Sequence, residues 1–133
     1  MAVRCLIVDD DEQFLRAARE LLEADGITVV GAVSTGAQAS RSCRRLQPDV
    51  ALVDINLGTE TGFDVARLLA VQSGTGRPQV ILVSASAGDA LADMIAESPA
   101  VSFLPKECLS GTAIRGILAR VSSAATPSQR DSR

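Results

Sequence analysis

The sequence predicts a doubly wound α/β domain: five parallel strands alternating with five helices in one open sheet. Three observations lead there. Short apolar runs alternate with segments of helical period along most of the chain. The 133 residues are 47% hydrophobic and 22% charged, the balance of one globular domain. Acids stand where the first and third apolar runs end, and open parallel sheets bind ligands beyond the carboxyl ends of their strands.

Residues 3–8 (VRCLIV) form a mostly apolar run, as a strand buried on both faces requires. Over residues 12–25, Phe14, Leu15, Ala18, Leu21 and Leu22 recur at helical spacing, and Gly26 supplies the stop. Residues 28–33 read as the second strand. Residues 37–46 read as the second helix, with Arg41, Arg44 and Arg45 on its wet side and Pro48-Asp49 breaking it. The third strand, 50–53, ends at Asp54; a helix at 63–72 and a turn-rich SGTGRP segment follow. Residues 80–83 form the fourth strand, 89–97 a helix closed by Ser98-Pro99, and 101–104 the fifth strand. Ser110 caps a last helix to about 121. Residues 122–133 (SSAATPSQRDSR) are small and polar without apolar period, so they read as a disordered tail or the start of a linker.

Composition narrows the chemistry. No apolar run approaches the roughly 18 residues of a membrane span, and MAVRCLIVDDD turns acidic too soon for a signal peptide, so a cytoplasmic protein is expected. A net charge of −3 gives no basic footprint for direct nucleic-acid binding. Cys5, Cys43 and Cys108 are scattered without a CxxC pair, which reads as buried reduced thiols. There is no His, Trp or Tyr, and the aromatics are Phe14, Phe63 and Phe103. Imidazole catalysis and base-stacking platforms are thereby excluded. What remains is carboxylates, hydroxyls, thiols, one lysine and a borrowed metal ion.

On a sheet of order 2-1-3-4-5 the switch point lies between the first and third strands. Asp9, Asp10 and Asp54 then share a pocket, with Ser84 and Lys106 at the ends of the fourth and fifth strands closing it. Clustered carboxylates make sense around a hard cation, and oxygen donors of this kind suit Mg²⁺. A carboxylate is also a competent nucleophile. Metal ligands, nucleophile, hydroxyl and ammonium together make a phosphoryl-transfer site.

Over about residues 3–121 the sequence resembles the receiver domain of two-component response regulators, of the chemotaxis-regulator type and flavodoxin-like in fold. The motifs are LIVDDD, DVALVDINL with Gly62 eight residues after Asp54, LVSA and FLPK. Spacings of 44 residues from Asp10 to Asp54, 30 on to Ser84 and 22 on to Lys106 fit that family without gaps. The resemblance implies Asp54 as phosphoacceptor, with Mg²⁺ held by Asp10, Asp54 and the Asn56 backbone carbonyl and Asp9 in its outer shell. It implies Ser84, Lys106 and the small Ala85 around the phosphoryl group. Ser84 and Phe103 would then be the switch residues. Read from the residues alone, Phe103 is a core side chain, and Asp11 and Glu12 are helix-start acids that favour the macrodipole.

The chain departs from the family in having Leu57-Gly58 where Met-Pro is usual and Glu107 where a proline usually follows the lysine. The implied partners are a sensor histidine kinase or a histidine phosphotransfer protein, and a downstream protein. The latter would meet the face of the fourth helix, fifth strand and fifth helix, and homodimer formation is open. The reading is a signalling switch that catalyses only its own phosphorylation and dephosphorylation. Residues 1–121 form the domain and 122–133 the tail. Two other readings stay open. One is the N-terminal receiver piece of a longer DNA-binding transcription factor. The other is a Mg²⁺-dependent phosphatase-like enzyme, against which Asn56 speaks, since such enzymes typically carry an acid at that position.

Overall fold

The structure, a computed structural model, describes residues 2–73, 78–85 and 92–131, with the side chains of 72–73 and 122–131 left out. Its elements run β1 (Arg4–Val8), α1 (Glu12–Ala24), β2 (Thr28–Val33), α2 (Gly36–Leu46), β3 (Val50–Asp54), α3 (Gly62–Ser73), β4 (Gln79–Ser84), α4 (Ala92–Glu97), β5 (Ser102–Pro105) and α5 (Gly111–Asp131). A single 3-10 turn, Lys106–Cys108, follows β5. Among the described residues, neighbouring strands of the sheet pair in parallel and the order is β2-β1-β3-β4-β5, as the sequence predicts.

Successive strand side chains point to opposite faces, and here both faces are covered. Leu6, Val8, Ala51, Val53 and Leu82 pack under Ala39 and Cys43 of α2 and Phe63, Ala66 and Leu69 of α3. Cys5, Ile7, Val50, Leu52 and Ile81 pack under Ala18 and Leu22 of α1 and Ile114 and Ile117 of α5. Double coverage is why these strands read as unbroken apolar runs. Both core layers lie beneath the strand ends that carry the acids, so those ends stand on a close-packed base.

Helix starts follow local chemistry. The Asp11 carboxylate accepts from the N–H groups of Gln13 (3.0 Å) and Phe14 (3.4 Å), which makes Asp11 the cap of α1. Ser110 does the same for α5 through Ala113 N–H at 3.0 Å, as the sequence predicts. The Asp25 carboxylate, just past α1, accepts from Gly111 N–H at 2.7 Å and ties the two helices together.

Two expectations are corrected, and two segments cannot be compared. The last helix continues to Asp131, past residue 121, so the backbone of 122–131 is helical where a disordered tail is expected. Cys108 is exposed, because the 3-10 turn after Lys106 carries it out of the core; Cys5 and Cys43 are buried. α4 is described only from Ala92, and residues 89–91 of the expected helix lie outside the described residues, as do 74–77 of the SGTGRP segment. Among the described residues, no helix is long and apolar enough to cross a membrane.

Candidate functional site

The carboxyl ends of β1, β3 and β4 and the turn after β5 open onto one cleft of about 340 Å³. Asp9, Asp10, Asp54, Asn56, Ser84, Ala85 and Lys106 all line it. Of the residues predicted for the site, Phe103 alone lies outside this lining; it is half-buried and packs against the layer under α2, α3 and α4. The helix-capping Asp11 and Gly58 complete the wall. A larger groove, about 590 Å³, lies over α2 and is lined by Arg41, Arg44 and Arg45 with Val33, Gln38 and Ser42. Those arginines are exposed, the wet helix face the sequence predicts. The smaller cleft is the one with acids, hydroxyl and amine together.

Asp9 follows β1 directly, and its backbone N–H donates to Val33 O at 3.0 Å. Its side chain is wholly buried, with Oδ1 accepting from Asp11 N–H at 2.8 Å. Asp54, the last residue of β3, is 7% exposed, and its Oδ1 accepts from Asn56 N–H at 3.3 Å. Lys106 Nζ lies 2.7 Å from Asp9 Oδ2 and 3.4 Å from Asp54 Oδ2. Ser84 ends β4 in register with Pro105, so the hydroxyl and the lysine enter the cleft from adjacent strands.

The loop after Asp54 is held by its own backbone. Leu57 N–H donates to Glu60 O at 3.1 Å, Gly62 N–H to Ile55 O at 2.7 Å, and Asn56 bridges to Thr61. Gly62 is the residue this closure needs: a Cβ there would run into the Asp54 carbonyl oxygen and lie 2.8 Å from Ile55 Cα. Gly58 has φ of +81° and a Cβ there would lie 3.3 Å from Asp10 Oδ2. Proline, fixed near −65°, cannot take that backbone, so the Leu57-Gly58 departure changes the path of the loop beside Asp10.

Charge follows geometry. Burial, and then the neighbouring Asp9 charge, hold the Asp54 carboxyl above its usual range, against the opposing pull of Asn56 N–H and the Lys106 ammonium. Burial works to lower the Lys106 value, but the Asp9 and Asp54 carboxylates outweigh it and the ammonium is held above its usual range. Four acids, Asp9, Asp10, Asp11 and Asp54, and the single ammonium of Lys106 therefore line one cleft.

The residues fit a hard divalent cation. One carboxylate oxygen from each of Asp9, Asp10 and Asp54 can be chosen so that all lie within 4.8 Å of one another. Asp9 Oδ2 is buried without a well-aligned hydrogen bond even though the ammonium is close. Hard oxygen donors of mixed exposure, with room for water, are the donor set of Mg²⁺ rather than of a thiolate- or imidazole-seeking metal.

Two contacts escaped the sequence reading. The Phe14 ring lies under Lys106, with Nζ 4.2 Å from the ring centroid. Its periodicity in the first helix marked it only as a core residue. Glu60 Oε2 accepts from Gly36 N–H at 2.9 Å and straps the loop to the start of α2. No local pattern signals a contact 24 residues apart.

The response regulator receiver domain family matches residues 5–117. A protein-glutamate methylesterase/protein-glutamine glutaminase of Idiomarina loihiensis is 35% identical over 109 residues, 80% of this chain and 28% of that protein. The alginate biosynthesis transcriptional regulatory protein AlgB of Pseudomonas aeruginosa is 36% identical over 105 residues, 79% of this chain and 23% of that protein. The chain thus spans about a quarter of the length of these two relatives. Among solved structures, the signal receiver domain of a modulated diguanylate cyclase from Desulfovibrio desulfuricans G20 superposes with a TM-score of 0.74 at 26% identity, covering 90% of this chain and 93% of that one. The five-stranded parallel sheet, the strand-end acids and the match over residues 5–117 agree: the chain belongs to the response regulator receiver domain family.

Proposed function

We propose that the chain is the phosphorylatable switch of a two-component phosphorelay, with Asp54 as phosphoacceptor and Mg²⁺ as its cofactor. The observation that carries this reading is the buried Asp54 carboxylate, 3.4 Å from Lys106 Nζ and grouped with the carboxylates of Asp9 and Asp10. A carboxylate oxygen of Asp54 attacks the phosphorus of the donor. The bond from phosphorus to the donor breaks, and the donor leaves with its electron pair. In hydrolysis water attacks the same phosphorus, and the Asp54 carboxylate leaves.

Asp10, Asp54 and the Asn56 backbone carbonyl would hold Mg²⁺, with Asp9 behind them. When bound, Mg²⁺ neutralises charge on the phosphoryl oxygens. Lys106 pairs with one phosphoryl oxygen and Ser84 hydrogen-bonds another. The exposed, small Ala85 leaves the approach open. Catalysis here is positioning and charge compensation. In this reading the chain catalyses only its own phosphorylation and dephosphorylation.

The donor is a sensor histidine kinase or a histidine phosphotransfer protein, and the setting is cytoplasmic. Output leaves through α4, β5 and α5 as a population shift, with Phe103 turning as Ser84 is drawn to the phosphoryl group. α4 suits such a face: none of its residues is buried and Met94 is 49% exposed. A second copy of the chain is a further candidate for it. The receiver occupies residues 1–121, and the stretch from 122 begins a tail or linker.

A small phosphodonor with Mg²⁺ should add one base-labile phosphoryl group per chain, and Asp54→Asn should abolish it. Equal labelling of the substituted chain would overturn the assignment. A second reading is the receiver piece of a longer DNA-binding regulator. It is favoured by the chain's span of only 23% of a transcriptional regulatory protein. Extending the reading frame past Arg133 decides it.

A further inference from the structure

We propose that Phe14 is a positioning residue whose ring face holds the Lys106 ammonium at the mouth of the Asp9–Asp54 pair, a role that rests on the phosphoacceptor reading above. Lysine offers three donors and no acceptor. Two directions from Nζ meet Asp9 Oδ2 at 2.7 Å and Asp54 Oδ2 at 3.4 Å. Another meets the negative face of the Phe14 ring, 4.2 Å away at its centroid, well inside the reach of a cation–π contact. The Lys106 side chain is only 18% exposed, so water competes weakly for it.

The ring is itself fixed from the same stretch of chain that carries the acids. Asp11 caps α1 through Gln13 and Phe14 N–H, and the same Asp11 donates its own N–H to Asp9 Oδ1 at 2.8 Å. Phe14 also packs on the core layer under α1 and α5. One junction, from β1 into α1, therefore sets both the acid that pairs with Lys106 and the ring on which the ammonium rests.

The consequence is dynamic. A lysine is a point charge on a four-carbon stem with many rotamers. To meet an incoming phosphoryl oxygen it must loosen from Asp9 without swinging into solvent. The ring face allows that. It attracts the charge without a directional hydrogen bond, so Nζ can slide between oxygens while the stem stays against α1. Ordering the stem before the phosphodonor arrives removes an entropic cost from the transfer step.

The test uses the full chain, in which Lys106 is the one lysine, so a lysine-labelled sample gives one set of side-chain signals. Phe14→Leu keeps apolar volume and removes the ring; Phe14→Tyr keeps the ring face. In the unsubstituted protein the Lys106 ε-methylene protons should be shifted upfield by the ring current. That shift should vanish in Phe14→Leu and persist in Phe14→Tyr. Labelling by a small phosphodonor with Mg²⁺ should slow about fivefold in Phe14→Leu and recover in Phe14→Tyr. An unshifted ε-methylene signal in the unsubstituted chain overturns the contact, whether or not the leucine variant folds. Labelling of Phe14→Leu at the unsubstituted rate overturns the role, as does a slow Phe14→Tyr that keeps the shift. If the unsubstituted chain takes no phosphoryl group at all, the phosphoacceptor reading fails, while the ring-current comparison still decides the contact.

Discussion

Lys106 Nζ stands closer to Asp9 than to Asp54, 2.7 Å against 3.4 Å. The ammonium thus leans on the acid of the β1 end and leaves the Asp54 carboxylate more open on the cleft side. On the phosphoacceptor reading proposed above, a phosphoryl group on Asp54 would give the ammonium new oxygens to meet, and its movement away from Asp9 would carry the change to β5.

This arrangement asks for lysine. An ammonium fits between two carboxylates, whereas a guanidinium is a wide planar fork suited to open, bidentate contacts. Lys106→Arg should keep the charge and still take phosphate on Asp54, yet lose the response of α4 and β5. NMR shifts of those elements with and without beryllium fluoride check it; shifts of unsubstituted size in the arginine variant would remove Lys106 as the reporter. Twelve of the thirteen basic residues are arginine, so this one lysine stands against the habit of the chain.

The pH response of Asp54 has a defined sign. Burial and the Asp9 charge raise its carboxyl above the ordinary 3.8, so the fold favours the protonated form. Stability from this group is full below 3.8 and is lost as pH rises through the raised value, leaving a deficit at neutral pH. Asp54→Asn should therefore melt at a higher temperature than the unsubstituted chain at pH 7, with the gap closing below 3.8. Thermal melts at both pH values check it, and a variant less stable at pH 7 would contradict it.

Lys106 loses its contribution in the same direction, with rising pH, but in the alkaline range. Although burial pulls it down, Asp9 and Asp54 raise it above 10.5, so its contribution to stability is full below 10.5 and is lost as pH rises through the raised value. Lys106→Met should flatten that alkaline loss in melts between pH 9 and 12, roughly the range over which a raised lysine titrates.

Gly62 links fold to site. Its added Cβ would meet backbone, the Asp54 carbonyl and Ile55 Cα, which cannot swing aside like a side chain. Gly62→Ala should cost about 1–3 kcal/mol in denaturant unfolding, and it should slow Asp54 labelling because the displaced atom belongs to Asp54 itself.

The loop from Asn56 to Gly62 should tighten with Mg²⁺ and beryllium fluoride. Gly58 at φ of +81° gives it backbone freedom that is lost on ordering. Amide exchange there should slow in the loaded state, and equal protection in both states would contradict this.

Much of this was readable from the chain. β1 and β3 are legible because burial on both faces demands unbroken apolar runs, and α5 starts where Ser110 announces a cap. The site was legible only as a set: Asp54 alone is one acid after a strand, and its register with Asp10, Ser84 and Lys106 gives it meaning. What stayed hidden depends on distance or on the solvent side of the fold. Phe14 and Lys106 are far apart in sequence, and a ring in an amphipathic helix gives no sign of what crosses its face. Cys108 looks like any small apolar residue until the turn after Lys106 exposes it. Helix beyond residue 121 has no apolar period in the sequence to betray it.

The most direct measurement is an NMR comparison of the full chain with Mg²⁺ alone and with Mg²⁺ plus beryllium fluoride, which mimics the acyl phosphate. A phosphorylatable switch should show shifts at Asp9, Asp10, Asp54, Ser84 and Lys106 that extend to Phe103 and α4, all absent in Asp54→Asn. A spectrum unchanged by beryllium fluoride, or changed equally in Asp54→Asn, would contradict the account.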